Sequence, residues 1–307
     1  MVPQLNRREF VALSSGALLA GLTGRLRANA GQAAPPTPVF APVRRNVNTF
    51  TARGGTIGWL SNKDALIVID TQYPDSARLC LDGLKTHATR PVDLVFNTHH
   101  HIDHTGGNGV FRAVARKIIA QAHVPELQKM AAAQTPNAEA PVLPDATFDQ
   151  TWTEKAGDET IAGRYYGPGH TGGDAIYHFQ RAGVVHMGDL LWLQFHPRVD
   201  RPAGASIQNW LKTLETVARQ MPRDTIYIAG HAKQATPVTA GVKDVTGFRD
   251  YFDAVLSTTR KGIADGKSKA EVTASSLPQF DSYQSAAPAL TLAAVLGVAY
   301  DELTAGK

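Results

Sequence analysis

The stretch NTHHHIDHTGG, residues 97–107, places four histidines and one aspartate within six consecutive positions. Side chains this polar are unsuited to an ordinary apolar core, and neutral imidazole and carboxylate are good ligands for Zn²⁺ and similar ions. At the end of a strand, His99 and His101 point to one side and His100 to the other. Asp103 and His104 follow a turn. The segment therefore offers two pairs of ligands in two directions, as two adjacent metal ions require.

Three later segments each bring one more candidate ligand to the predicted end of a strand. GPGHTGGD contains His170, VVHMGDL contains Asp189 and IYIAGH contains His231. The glycines beside these residues let the backbone come close to an ion. The whole set is five histidines and two aspartates, which fills two sites of three protein ligands each and leaves one carboxylate to bridge them.

The elements that must position these residues read as alternating strands and helices. TIGWL and ALIVID, separated by the turn SNKD, predict a β-hairpin, and VDLVFNT predicts a buried strand that leads into the histidine cluster. Further strands and helices follow up to His231, and the last sixty residues predict helices. Runs of β–α alternation favour sheets covered by helices, a layered α/β arrangement. No break in composition divides residues 46–307, so we predict one domain there, with a helical C-terminal extension.

The motifs THHHIDHTGG, GPGHTGGD, VVHMGDL and AGH resemble, in this order, those of the metallo-β-lactamase superfamily. The resemblance implies a four-layer αββα sandwich. It also implies that His99, His101 and His170 bind a first zinc ion, that Asp103, His104 and His231 bind a second, and that Asp189 bridges the two. A bridging Asp is similar to the ligand set of the glyoxalase II-type and general hydrolase branches.

The resemblance implies a dinuclear zinc hydrolase in which a bridging hydroxide attacks an acyl bond of a β-lactam, lactone, ester or thioester. Asp103 is then both a ligand of the second zinc and the catalytic residue that orients the nucleophile or carries its proton. Two alternatives stay open: a mononuclear iron enzyme acting on sulfur species, and a metal-binding accessory protein without turnover. The substrate is a small molecule of a kind that the sequence does not name.

The first thirty residues predict a twin-arginine signal peptide. NRREF holds the paired Arg7 and Arg8, a mildly apolar run follows, and ANA at residues 28–30 is suited to cleavage. We therefore expect a periplasmic protein without a membrane anchor after cleavage, joined to its domain by a Pro-rich linker at residues 31–45. Residues 1–30 carry four arginines and one glutamate, a net +3 of the chain's formal +4. The remaining +1 gives no reason to expect a nucleic-acid partner.

The other polar residues of interest are expected to serve packing or to support the ligands. Cys80, the single cysteine, lies on a helical pattern and is expected in the core. Thr105 and Asp174 are candidates to hydrogen-bond the ligands from behind, and Trp192 with Phe195 is a candidate to line the mouth of the site. For His186 both a core role and a role in orienting a ligand stay open. The remaining histidines are expected as packed or surface residues: His87, His100, His123, His178 and His196.

Overall fold

Two β-sheets and eight α-helices make up the computed structural model, which describes residues 37–136, 139–287 and 290–305. The first sheet has seven strands in sequential order. Its first four strands are antiparallel neighbours and its last four are parallel. The strands are β1 (Val39–Arg44), β2 (Val47–Thr51), β3 (Ile57–Ser61), β4 (Leu66–Ile69), β5 (Leu94–Asn97), β6 (Lys117–Gln121) and β7 (Ala146–Phe148).

The second sheet has six strands in the order β13-β12-β11-β10-β9-β8. All neighbours are antiparallel except β11 and β12, which are parallel. The strands are β8 (Thr151–Ala156), β9 (Glu159–Arg164), β10 (Ile176–Phe179), β11 (Val184–Leu193), β12 (Ile226–Ala232) and β13 (Thr239–Ala240).

Helices cover the outer face of each sheet. Two of them, α2 and α3, are single short turns directly after the histidine cluster. The helices are α1 (Pro74–His87), α2 (Ile102–Thr105), α3 (Asn108–Arg112), α4 (Val124–Ala133), α5 (Ile207–Gln220), α6 (Val242–Ala264), α7 (Lys269–Thr273) and α8 (Leu292–Thr304).

Three apolar layers separate the four layers of secondary structure, and the period-2 alternation of the strands produces them. Along β4, Ile67 and Ile69 face the second sheet, whereas Leu66 and Val68 pack with α1 and α3. The outer face of the second sheet packs against α5, α6 and α8 through side chains that include Trp210. The predicted αββα sandwich is therefore confirmed, and the burial of Cys80 between α1 and the first sheet agrees with its expected core role.

The predicted Pro-rich linker at residues 31–45 needs a correction at its C-terminal end. Residues 39–44 form β1, which pairs with β2 along the edge of the first sheet. Pro42 is tolerated there because an edge strand leaves one row of backbone groups without a ladder partner. The predicted signal segment, residues 1–30, lies outside the described residues. Within the described ranges, no helix has both the length and the hydrophobicity needed to cross a membrane.

Candidate metal centre

All seven predicted ligands converge at one end of the sandwich, between the two sheets. His99 and His101 follow β5, and Asp103 and His104 lie in α2. His170 lies in the loop between β9 and β10. Asp189 and His231 belong to the parallel neighbours β11 and β12, so the expectation that Asp189 follows a finished strand was wrong.

The first cluster consists of His99, His101, His170 and Asp189, all of them buried. His101 Nδ1 lies 3.0 Å from His99 Nε2 and 2.9 Å from His170 Nε2. Three ring nitrogens at such distances are close to the edge of a tetrahedron around an ion with Zn–N bonds of about 2.0–2.1 Å. His100, as predicted, does not join this group of nitrogens.

The second cluster consists of Asp103, His104 and His231. His231 Nε2 lies 3.2 Å from Asp103 Oδ2 and 3.4 Å from His104 Nε2. The Asp189 carboxylate lies between the two clusters, with Oδ2 3.3 Å from His170 Nε2 and 3.4 Å from His231 Nε2. This is the position that a bridging carboxylate needs.

An irregularity in β11 turns Asp189 toward the centre. The pairing of β11 with β12 shifts register on both sides of Gly188, whose φ is +50°. Glycine adopts this left-handed conformation without the penalty that a Cβ imposes, and bulges of this kind redirect side chains beside functional sites. The carboxylate therefore leaves an otherwise continuous buried strand without the strand having to end.

Hydrogen bonds at the outer nitrogens set the tautomers of four of the five histidines. His104 Nδ1 donates to Asp70 Oδ2 at 2.7 Å, His101 Nε2 to Asp200 Oδ2 at 2.8 Å, and His170 Nδ1 to the carbonyl of Arg198 at 2.8 Å. His99 Nδ1 contacts Thr98 Oγ1 at 3.0 Å. Because the outer nitrogen carries the proton, the inner nitrogen presents a lone pair to the centre.

The electrostatics differ between the two clusters. Burial lowers the pKa of His99, and burial lowers the pKa of His101 to about 4 against the opposing effect of Asp200. In the second cluster burial is outweighed by Asp189 and Asp103, which raise the pKa of His231 to about 9 and also raise the pKa of His104. A cation bound by the first cluster therefore meets neutral imidazoles at His99 and His101, whereas one bound by the second displaces protons.

The surroundings of both carboxylates of the centre favour the ionised form. Burial raises the pKa of Asp189, but the nearby His231, His104 and His170 outweigh it and hold the pKa well below its usual range. The pKa of Asp103 is lowered in the same way, by His104 and His231 against burial. Asp189 Oδ1 is buried and lies 3.0 Å from His104 Nε2, but in the described part of the chain it has no partner at good hydrogen-bond geometry. A buried carboxylate oxygen that lacks a well-formed hydrogen bond and faces the lone pairs of ring nitrogens is suited to binding a metal cation. The imidazole nitrogens and carboxylate oxygens of the two clusters are ligands that suit Zn²⁺.

Asp70 is a residue of this site that the sequence reasoning missed. It follows the buried strand β4 and accepts three hydrogen bonds of 2.7 Å, from Thr98 N, Thr98 Oγ1 and His104 Nδ1. Its φ of +63° is rarely adopted by a residue with a side chain, and strain of this kind collects at functional sites. The signal was present in ALIVID, where a charged residue ends an apolar run at the same sheet edge as the histidine cluster.

Asp70→Asn is expected to weaken metal binding by the second cluster about 10–100-fold. The amide cannot accept all three bonds, since one of its two positions is now a donor that faces either Thr98 N or the pair Thr98 Oγ1 and His104 Nδ1. His104 therefore loses its acceptor or keeps only a neutral amide oxygen, which holds the proton on Nδ1 less firmly than a carboxylate does. The measurement is a zinc competition titration of folded protein. Unchanged affinity for both equivalents would show that the Asp70 carboxylate is not needed to orient His104.

The other candidate supporting residues make hydrogen bonds to backbone groups near the predicted ligands, and not to the imidazole rings. Thr105 Oγ1 donates to the carbonyl oxygens of His100 and His101, and Asp174 accepts from the backbone of Gly169 and Thr171 on either side of His170. His186 donates to the carbonyl of Thr56 and accepts from Gly188 N, so its observed contacts are with backbone and not with a ligand. These residues shape the segments from which the ligands project.

One side of the centre is open to solvent. The side chains of Asp103 and His231 are 23% and 21% exposed, whereas that of His101, the next most exposed predicted ligand, is 9% exposed. Ile102, beside Asp103, is 65% exposed. Trp192 is buried and lies against His231 with ring centroids 4.4 Å apart, so it forms a wall of the site and not its mouth. A small molecule therefore reaches the centre from the side of Asp103 and His231.

Residues 50–231 match the sequence profile of the metallo-β-lactamase superfamily. The match covers more than half of the chain and contains all seven predicted ligands. The fold and the motif order agree with it, and the chain belongs to this superfamily.

Individual relatives differ in what they act on. The hydroxyacylglutathione hydrolase of Brucella ovis is 30% identical over 194 residues, 61% of this chain and 66% of that protein. The alpha subunit of a 2,4-dinitroanisole O-demethylase from Nocardioides sp. is 27% identical over 164 residues, 51% of this chain and 47% of that protein. The inverting sec-alkylsulfatase Pisa1 from Pseudomonas sp. superposes with a TM-score of 0.68 at 16% identity, over 88% of this chain and 51% of that one. The chain spans less than two thirds of each of these proteins, and the structural likeness shows the fold alone.

Proposed function

We propose that this chain is a metal-dependent hydrolase that uses two zinc ions to cleave the acyl bond of a β-lactam, lactone, ester or thioester. The observation that carries the proposal is the convergence of five imidazoles and two carboxylates in two adjacent clusters. Four of the imidazoles have their outer nitrogen engaged, and their inner nitrogens face one another at distances where a bound metal cation relieves the crowding of lone pairs.

When bound, the two zinc ions supply a hydroxide nucleophile at neutral pH and polarise the substrate carbonyl. The protein residues exclude bulk water and transfer the proton. His99, His101 and His170 form the buried part of the site and keep bulk water from one side of the reacting bond. Asp103, with its partly exposed carboxylate, is placed to accept a proton and return it to the leaving group.

Two features support an acyl substrate. The Brucella ovis relative is named as a hydrolase of hydroxyacylglutathione, which is an acyl compound. The exposed Ile102 beside Asp103 offers an apolar contact to the part of a substrate that surrounds its carbonyl. Thioesters therefore come first among the bonds to be tested.

The proposal is tested by assaying zinc-loaded protein that begins at Gly31 against a panel of β-lactams, lactones, esters and thioesters. We expect hydrolysis of at least one acyl class, and its loss on removal of the metal with a chelator. No turnover of any member, with two zinc equivalents bound, would favour the accessory-protein alternative. A single iron in protein purified without added metal would favour the iron enzyme acting on sulfur species.

His99→Ala and His104→Ala are each expected to lose one metal equivalent, and not the same one. The reason is that the inner nitrogens of His99 and His104 belong to different clusters. Metal content after dialysis gives the stoichiometry, and Co²⁺ absorption distinguishes the remaining site in each variant. Identical spectra for the two variants would refute the division into two sites, and loss of both equivalents from either would indicate one cooperative site.

We also propose that the protein is exported folded to the periplasm by the twin-arginine route. The proposal rests on Arg7 and Arg8, the apolar run after them and the ANA sequence at residues 28–30. Replacing both arginines by Lys is expected to leave the precursor in the cytoplasm, which fractionation with an antibody against the chain would measure. Normal export of that variant would show that another route is used.

A further inference from the structure

We propose that Asp200 is a positioning residue for His101, and that Glu302 on the C-terminal helix α8 holds in place the connection that carries Asp200. The C-terminal helix is then part of the structure that shapes the first metal site, although it supplies no ligand. The inference rests on the metal-binding role proposed above for His99, His101 and His170.

The charged carboxylate of Asp200 is hydrogen-bonded to the ring of His101. Its Oδ2 accepts from His101 Nε2 at 2.8 Å and from Arg198 Nη2 at 3.0 Å, and its side chain is 9% exposed. This hydrogen bond keeps the proton of His101 on Nε2. The ring therefore presents Nδ1 to the centre, whereas the inner nitrogen of the other four histidines is Nε2. Among the seven predicted ligands, His101 is the one whose outer ring nitrogen is hydrogen-bonded to a carboxylate that follows β11 in the chain.

The connection between β11 and α5, residues 194–206, supports a second ligand as well. The carbonyl of Arg198 accepts from His170 Nδ1, and the backbone nitrogen of Asp200 donates to the carbonyl of His170 at 3.1 Å. Ser206 N donates to the carbonyl of Gly169 at 3.0 Å. Two of the three histidines of the first cluster therefore take their orientation from this connection, which we name the 194–206 connection.

Glu302 ties the 194–206 connection to α8. Its carboxylate accepts from Ser206 Oγ at 2.7 Å, from Ile207 N at 2.8 Å and from Gln208 N at 3.2 Å, at the first turn of α5. A carboxylate there satisfies backbone donors that lack partners in the helix and is favoured by the helix dipole. Arg201 Nη1 lies 3.9 Å from the same carboxylate, and the Glu302 side chain is only 7% exposed.

The segment before α8 makes a second attachment. Gln284 pairs with Phe195 as an isolated β-bridge, donating to the carbonyl of Gln194 at 2.9 Å and accepting from His196 N at 2.9 Å. Both ends of the 194–206 connection are thus held by the C-terminal region. Apart from a short 3-10 helix at Arg201–Ala203, the connection has no regular structure of its own. These attachments therefore hold Asp200 and the Arg198 carbonyl in place together with the bonds to the loop of His170.

The test compares Co²⁺ binding to the folded wild-type chain and to two Asp200 variants. We expect Asp200→Ala to weaken binding of one Co²⁺ equivalent about 10–100-fold and to change its visible spectrum. Asp200→Asn keeps an oxygen that accepts from His101, so we expect a smaller loss. The other equivalent keeps its affinity. Wild-type affinity and spectrum in both variants would overturn the positioning role of Asp200.

The role of α8 is tested with Glu302→Ala, Glu302→Gln and the neighbouring Asp301→Ala. Asp301 is exposed on α8 and pairs with Lys269 of α7, so it reports the effect of changing α8 away from the connection. We expect Glu302→Ala to weaken the same Co²⁺ equivalent about 10-fold, Glu302→Gln to recover part of the loss, and Asp301→Ala to bind as wild type. A Glu302→Ala variant that melts earlier but binds Co²⁺ as Asp301→Ala does would overturn the coupling.

Failure of the inference and failure of the proposed function are separable in these experiments. Wild-type protein that binds no Co²⁺ would overturn both. Wild-type protein that binds two equivalents with unchanged Asp200 and Glu302 variants would overturn the inference alone. Weaker binding in the variants, in a protein that hydrolyses no acyl compound, would support the inference and overturn the function.

Discussion

Asp103→Asn is expected to lose at least ~10²-fold in kcat with zinc saturating and two equivalents confirmed bound, because general acid–base help is typically worth about 10²–10⁴-fold. The amide keeps the size of the side chain and one oxygen but removes its charge and basicity. Excess zinc offsets a weaker affinity by mass action. It does not restore a lost proton acceptor, so kcat at saturating zinc separates the two roles of Asp103.

The measurement is kcat on the best substrate of the panel over a series of zinc concentrations. Asp82→Asn is a matched control, since Asp82 is exposed on α1 and pairs with Lys85; we expect it to keep wild-type kcat. Near-wild-type kcat in Asp103→Asn would reduce Asp103 to a structural ligand and leave the hydroxide to act without a protein base.

Gly230→Ala is expected to cost about 1–3 kcal/mol of folding free energy and at least about 10-fold in metal affinity. Gly230 lies in β12, directly beside the irregular part of the neighbouring strand β11 at Gly188 and Asp189. A Cβ there meets Asp189 Oδ1, the carbonyl carbon of Gly188 at 2.7 Å and its oxygen at 2.8 Å. Backbone atoms of a buried strand cannot move aside as the end of a flexible side chain does. The Asp189 carboxylate is therefore pushed out of its place between the two clusters.

Gly247→Ala is the matched control for this substitution. Gly247 lies within α6, and a Cβ at this position meets nothing within 4 Å. Alanine in a helix interior is favoured over glycine by roughly 1 kcal/mol, so this variant is expected to be at least as stable as wild type and to bind metal normally. Thermal unfolding and a zinc competition titration measure both variants. A Gly230→Ala protein that matches Gly247→Ala in both would show that β12 tolerates a side chain above Asp189.

The sequence by itself predicted the candidate ligands and determined the layers. His99, His101, Asp103 and His104 lie within six positions, so strand and turn geometry alone predict two directions of projection. Continuous apolar runs, as in ALIVID, predict strands that are covered on both faces, and the last sixty residues are recognisable as helices. These features depend on neighbours within a few residues, and local patterns report them directly.

Only the tertiary structure decided what surrounds the ligands. The acceptor for His104 is 34 residues away, that for His101 is 99 residues away, and Glu302 reaches Ser206 across 96 residues. A carboxylate looks the same in the sequence whether it lies on the surface, as Asp301 does, or against a helix terminus, as Glu302 does. Gly188 and Asp189 interrupt the apolar run in the sequence as the end of a strand would, so Asp189 was expected after a strand, but it lies within one. Which distant residues meet is set by how the two sheets and the C-terminal helices pack, since only packing brings a polar group next to the donor that compensates its burial.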